Sequence, residues 1–367
     1  MKTLLLGLFM VFMMLSATVS NALEFEKDQD SWLKTGFPDT EVKLIITTSV
    51  DSRLALTSGN ELYHELAYDK WEKIDADIEG NVTALCATFL GTDVGLYHIN
   101  SDNYSFEKID DLAYANIKKI FQDRDNYRTT YVLTDSGLFF YDYSVVIKCK
   151  LPGDNQQLVS MAFSNYNIAA VTESGELFFS NDNCQNWTQD IEKPEEHSFT
   201  TVEWDNQNNR FVIGSDKSLF FLNETLEEVQ GYNGGYVNCI VVLNYVFVCE
   251  TGSKQRKPLF RPFPLEDFIA IGTKNEGVYG ISLSDSVTQK NDSLGDLNIR
   301  SFSYDQWGGY LYAGTKDHGI FRTQKAYAGS VDELNLSPYS LKISPNPAKS
   351  RVSISFHNPE YAEIEIA

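Results

Sequence analysis

The chain has 367 residues, a formal net charge of −21 at pH 7 and a pI near 4.6. That balance excludes duplex nucleic acid and anionic membrane as main partners, because both require a basic footprint. Hydrophobic residues make up 43% and aromatic ones 13%, enough for a large core and of a kind that favours pleated, half-buried surfaces.

Residues 1–22 read as a secretory signal peptide. Lys2 supplies the positive start, residues 4–15 the apolar stretch, and Ser20-Asn21-Ala22 a small-x-small cleavage site. About a dozen apolar residues are too few to span a bilayer, and no later segment is long and apolar enough to anchor the chain. An acidic leader runs to about Asp30. Ser31-Trp32 then matches the residues that open outer strands further along, and residues 42–47 read as a first inner strand.

One phrase then recurs: LALTSGNELYHE at 54–65, FLGTDVGLYHI at 89–99, YVLTDSGLFFY at 131–141 and AAVTESGELFFS at 169–180. FVIGSDKSLFFL at 211–222, FIAIGTKNEGVYGI at 268–281 and YLYAGTKDHGIFRT at 310–323 continue the series. Each is a pair of apolar runs around a polar turn, the signature of a β-hairpin. The aromatic that opens each second run falls at Tyr63, Tyr97, Phe139, Phe178, Phe220, Tyr279 and Phe321, in steps of 34, 42, 39, 42, 59 and 42 residues. A period near 40 with several short strands per repeat predicts a β-propeller. Alternating runs before the hairpins (116–121, 199–204) supply strand A of each blade. Runs after them, several opened by an aromatic (Trp71, Phe106, Trp187), supply strand D.

The expected fold is therefore all-β: a seven-bladed β-propeller of four-stranded antiparallel sheets. No strand D follows Arg322, so a strand near 31–35 is expected to close the ring, which removes exposed sheet edges. The 59-residue step marks an irregularity. Residues 237–242 and 245–249 read as strands A and B of the sixth blade, yet the strand B pattern returns at 268–273, and LFRP at 259–262 leaves an eighth blade open. The excursion between them carries Lys254, Arg256, Lys257 and Arg261, either a partner-binding loop or a solvated charge run. Five cysteines at irregular spacing are no disulfide framework. They read as buried thiols, with one bridge open between Cys239 and Cys249.

Candidate chemistry is sparse. HExxH, CxxC, EF-hand and GxSxG patterns are absent, the five histidines are dispersed, and 51 acidic residues single out no glycosidase-type carboxylate pair. Stacking the repeats aligns Asp93, Asp135, Glu173, Asp216 and Asp317 in the turns between strands B and C. Asp and Glu there serve the turn itself or form an acidic face whose carboxylates suit Ca²⁺ or a basic partner.

Two stretches resemble known families. SNDNCQNW at 180–187 resembles the Asp-box, S-x-D-x-G-x-x-W, of sialidase- and sortilin-like BNR-type propellers: Ser180, Asp182 and Trp187 match, and Cys184 stands at the glycine. The resemblance implies a structural turn between strands C and D, away from any catalytic face. LKISPNPAKSRVSISF at 341–356 resembles the opening of the type A C-terminal sorting domain of the type IX secretion system, found in Bacteroidetes. It implies the start of a small β-sandwich, truncated in this chain, and export by the type IX machinery. The same bacteria O-glycosylate Asp-Ser/Thr-apolar triplets, which Asp285-Ser286-Val287 and Asp292-Ser293-Leu294 are similar to.

The expected layout is a signal peptide (1–22), the propeller (23–329), a linker (330–340) and the truncated sorting domain (341–367). The expected role is a secreted or cell-surface, non-enzymatic binding protein for a protein or glycan ligand. The alternative is a secreted glycan-active enzyme (a hydrolase, sialidase-like, or a lyase) on the same scaffold.

Overall fold

The computed structural model describes residues 31–48, 52–67, 69–123, 129–142, 145–153, 157–164, 167–189, 191–243, 269–305 and 310–323, and the strands Ser340–Ser344, Ser353–Asn358 and Ala362–Ile366. Blade 1 runs through Val42–Thr47, Arg53–Thr57, Leu62–Ala67 and Lys70–Lys73, and blade 2 through Val82–Leu85, Phe89–Thr92, Gly95–Asn100 and Ser105–Lys108. Blade 3 comprises Ile117–Gln122, Thr130–Thr134, Gly137–Tyr141 and Val146–Cys149. Blade 5 comprises Phe199–Asp205, Arg210–Ser215, Leu219–Leu222 and Leu226–Glu228. Blade 6 comprises Val237–Val242, Ile269–Thr273, Val278–Ile281 and Val287–Gln289. Within each blade the strands, A to D, pair antiparallel in chain order.

Blades 4 and 7 depart from that plan in different ways. Among the described residues blade 4 has three strands, Leu158–Phe163, Ile168–Thr172 and Leu177–Ser180, and its strand D is one bridge between Phe179 and Thr188. The strand expected from Trp187 onward is thus a single pairing. Blade 7 holds Ile299–Tyr304, Leu311–Thr315 and Ile320–Thr323, and its fourth strand is Trp32–Lys34 from the other end of the chain, with Trp32 opposite Thr323. Trp32 is 2% exposed and donates its indole N–H to the Lys290 carbonyl at 2.7 Å, so the closing strand is tied to blade 6 as well. Strand B of blade 6 is Ile269–Thr273, paired directly with strand A from Val242 opposite Ile269. The assignment of strand B to 245–249 is thereby corrected, since that partner position is already filled. The excursion, LFRP and Cys249 lie outside the described residues.

Burial explains the repeat phrase. Apolar clusters fill each of the seven interfaces between neighbouring blades, including Leu54, Leu56, Val82 and Leu90 between blades 1 and 2, and Val42, Ala55, Tyr312 and Ile320 between blades 7 and 1. A strand B lies between two such clusters, so all seven strands B are buried on both faces. That is why they read as continuous apolar runs rather than alternating ones.

Strand A carries a feature that burial does not explain. In all seven blades its register shifts between the first and third residue, leaving one bulged residue: Lys43, Thr83, Lys118, Val159, Thr200, Asn238 and Arg300. A bulge bends the strand and re-aims its side chain. Three bulged residues reach the next blade: Thr83 Oγ1 donates to the Ile117 carbonyl at 2.5 Å, Thr200 Oγ1 to Val237 at 2.7 Å, and Asn238 Nδ2 to Ile299 at 2.7 Å. Arg300 crosses from blade 7 to Glu41, beside blade 1, at 2.6 Å. Strand B answers from below with glycine at those interfaces. A Cβ at Gly214 or Gly272 would stand 2.5 Å from Val237 or 2.7 Å from Ile299, so only glycine admits the neighbour.

The last three strands form a separate antiparallel sheet, with Leu341 opposite Phe356 and Phe356 opposite Ile364.

Candidate functional site

The turns between strands B and C open on a hydroxyl. Thr57, Thr92, Thr134, Thr172, Ser215, Thr273 and Thr315 end the seven strands B, and all are at most 2% exposed. Most donate to a carbonyl across the turn, as Thr92 does to Gly95 at 3.2 Å and Thr315 to Gly319 at 2.8 Å, and accept from a turn N–H. The next residue donates its N–H back to the residue before strand A in every blade: Ser58 to Glu41, Asp93 to Asn81, Asp135 to Asn116, Glu173 to Gln157 and Asp216 to Ser198. In blade 6 the donor is Lys274, and in blade 7 it is Lys316. Asp317 thus stands one residue beyond the position held by Asp93, Asp135, Glu173 and Asp216.

These acids are engaged locally. Asp93 accepts from the Asn81 side chain at 2.9 Å and its backbone N–H at 2.8 Å, which hold its carboxyl below the usual range. Asp216 accepts from the Ser198 N–H at 2.8 Å. Asp135 pairs with the bulged Lys118 at 2.9 Å, and that bond lowers its pKa. Asp317 gives its N–H to Asp296 at 2.7 Å. With Arg300 bonded to Glu41, cations from strand A stand among the turn acids. Among the described residues no group of three or more His, Cys, Asp or Glu is placed to hold a metal ion. The basic residues Lys254, Arg256, Lys257 and Arg261 lie outside the described residues.

The opposite face carries the loops between A and B and between C and D. Two arginines that begin strands B gather carboxylates there. Arg53 bonds Glu65 and, at 2.9 Å, Asp305, with all three side chains at most 8% exposed. Burial pushes the Glu65 pKa up against the pull of Arg53. Arg210 bonds Asp205 at 3.0 Å and grips Asp285 with two nitrogens, at 2.8 and 2.5 Å. Glu65, Asp305 and Asp205 are buried against these guanidinium groups, while Asp285 keeps an exposed side chain beside Arg210.

The S-x-D turn lies on this face too. Ser180 Oγ donates to Asp182 at 3.0 Å and accepts from the Cys184 N–H at 2.9 Å. Asp182 accepts the N–H groups of Gln185 (3.0 Å) and Asn186 (2.8 Å) and the Asn186 amide (2.7 Å), and this set depresses its pKa. Asn183 and Cys184 take φ of 57° and 62°, the left-handed region that favours glycine. Trp187 donates its indole N–H to Lys150 of the preceding blade at 2.9 Å. The turn therefore joins blades 3 and 4.

Beyond this turn, where blade 4 lacks a full strand D, a cleft of ≈ 370 Å³ opens between blades 4 and 5. Its rim is Asn167, Asn181, Asn186 and Asn223, and the Phe179 and Phe211 rings lie below, their centroids 5.6 Å apart. Ile191 and Leu222 extend the apolar floor, Thr188 adds a hydroxyl, and none of these described lining residues is charged. Sequence reasoning did not reach this cleft. Its trace there is the density of asparagine in SNDNCQN at 180–186, with Asn223 in the corresponding loop of blade 5 and Asn167 between strands A and B of blade 4.

No protein-family model matches the chain, and no curated protein matches it in sequence. Solved structures do share its fold. The extracellular domain of a putative one component system from B. thetaiotaomicron superposes with a TM-score of 0.61 at 13% identity, over 92% of this chain and 47% of the other. PorZ, an essential bacterial surface component of the type-IX secretion system of Porphyromonas gingivalis, superposes with a TM-score of 0.54 at 11% identity, over 91% and 46%. The chain spans a little under half the length of these proteins. Among the described residues no helix is long and apolar enough to cross a membrane.

Proposed function

We propose that this chain is a secreted or cell-surface propeller that binds a protein or glycan ligand without transforming it. The observation that carries the reading is the cleft between blades 4 and 5, whose described lining combines amides, the Thr188 hydroxyl and apolar side chains, a surface suited to holding a ligand. A glycosidase needs two carboxylates on either side of an open bond. Among the described residues, Glu65 and Asp305 converge on Arg53, and Asp205 and Asp285 on Arg210, so each of these pairs is engaged with a guanidinium.

Surface location is supported by the signal peptide pattern of residues 1–22 and the sorting-domain pattern of residues 341–367, with type IX machinery as the export partner. Similarity of fold to an extracellular domain and to a surface component of that system agrees with it. This reading assigns residues 23–329 to the propeller and 330–340 to a linker. The turn at Ser180, Asp182 and Trp187 makes the bonds an Asp-box requires of its serine and aspartate, which supports kinship with the BNR-type repeats and a structural role for that motif. The acids of the B–C turns remain a candidate surface for Ca²⁺ or a basic partner, and the loop with Lys254, Arg256, Lys257 and Arg261 a candidate contact for an acidic one.

The test is a binding screen of the full mature chain on an array carrying neutral glycans, acidic glycans and purified surface proteins. Saturable retention on one class meets the proposal. Absence of retention on every class overturns it.

A further inference from the structure

We infer that the cleft between blades 4 and 5 is a site for a neutral oligosaccharide, an inference that rests on the binding role proposed above and names its ligand class. Three of the four rim amides, those of Asn167, Asn181 and Asn223, have no side-chain hydrogen-bond partner among the described residues. The fourth, Asn186, is held in place, donating to Asp182 at 2.7 Å and accepting from Lys150 at 2.8 Å. Each free amide offers donors and an acceptor side by side. That combination complements a hydroxyl, which also donates and accepts, and none of the described lining residues carries a charge to compensate that of an ionic ligand. Below the rim, the half-buried Phe179 presents ring surface to the apolar C–H face of a pyranose, backed by the buried Phe211 ring, an arrangement that suits a ligand polar at its edge and apolar on its face. The volume, ≈ 370 Å³, lies in the lower part of the range of roughly 300 to 1,000 Å³ that small ligands occupy.

An extended peptide is the competing occupant, since blade 4 leaves its third strand at the sheet edge and peptides add to such edges. The edge is already taken where it meets the cleft. Phe179 gives its N–H to the Thr188 carbonyl and accepts the Thr188 N–H, both at 2.9 Å. A peptide cannot pair with the backbone there without displacing that bridge. A sugar, which reads side chains rather than a sheet edge, meets no such obstacle.

Among the described residues strand D of blade 4 is a single bridge, and the Asp182 turn fixes Asn186 at the border of the cleft.

The experiment is calorimetric titration of the full mature chain with gluco-, xylo-, manno- and N-acetylglucosamine hexasaccharides, with hexagalacturonate as the charged probe, repeated on Asn181→Ala/Asn223→Ala. A neutral hexasaccharide that binds the wild type, and binds the double variant roughly tenfold more weakly, confirms the site; loss of two hydrogen bonds predicts about that factor. Thermal melting keeps the comparison fair, because both asparagines are exposed and their substitution is expected to leave the midpoint unchanged. Binding of neutral probes that the double variant retains in full overturns the cleft assignment but leaves the binding role standing. Preference for hexagalacturonate, or no binding of any neutral probe, overturns the ligand class. Shortened products in the calorimeter cell would overturn the non-catalytic reading itself.

Discussion

A Cβ added at Gly314 of blade 7 would stand 2.7 Å from Cγ1 of Val42 in blade 1, closer than real side chains approach. The contact sits at the interface between the last blade and the first, and Val42 is fully buried. Gly314→Val is expected to destabilise by about 1–3 kcal/mol through overpacking. Chemical denaturation measures it, and a double-mutant cycle with Val42→Ala should recover part of the loss, because the two residues share one space. Strict additivity would show that the glycine is needed for something other than this approach.

The closing strand gives a second test. Trp32 is buried at the junction of blades 6 and 7 and bonded through its indole to Lys290. Trp32→Ala should cost roughly 3–5 kcal/mol, as large aromatic truncations in cores do. Trp32→Phe should cost less, retaining most of the packing while losing the hydrogen bond. A midpoint of denaturation unmoved by either substitution would mean that the ring holds without its N-terminal strand.

Acid should loosen the Asp182 turn. The folded-state pKa of Asp182 is depressed, chiefly by the Asn186 N–H and amide, so its contribution is present above the ordinary carboxylate range and is lost as pH falls through the depressed value. Asp93 and Asp135 have the same sign. Glu65 has the opposite one, its pKa being raised by burial, so protonation there relieves a cost. Melting temperature against pH for wild type and Asp182→Ala should show the variant lower at pH 6 and the two converging toward pH 3. Parallel curves would assign the acid sensitivity elsewhere.

Thiol labelling probes the interfaces directly. Cys86, Cys149 and Cys184 are buried, and burial pushes the Cys86 thiol up to about 11. Native protein should leave these three unmodified by iodoacetamide at pH 8, and denatured, reduced protein should carry a label at each, read by peptide mass spectrometry. Rapid labelling of Cys184 in the native state would contradict the packing of the turn between blades 3 and 4.

The fold was legible because burial on both faces of a strand is written in the chain as composition. Each strand B appears as an unbroken apolar run such as residues 130–134, and Trp32 stands out as a strand opener without a blade of its own. The bulges at Thr83, Thr200 and Asn238 left no such trace, because a bulge is a register shift between two strands and either strand alone looks regular. The turn acids were visible, but the buried Thr or Ser that ends each strand B, equally regular in the sequence, proved to organise the turn. The second strand of blade 6 was misplaced for a related reason: an apolar run such as 245–249 does not say whether its pairing position is taken. The cleft was hidden because its asparagines come from loops of two blades and meet only in three dimensions.

Binding without conversion is tested most directly by recovering the ligand. The neutral hexasaccharides, incubated for a day with the full mature chain and analysed by mass spectrometry, are predicted to return at unchanged mass while showing saturable binding. Shorter oligosaccharides or unsaturated fragments would contradict that role and place a hydrolase or lyase on this propeller.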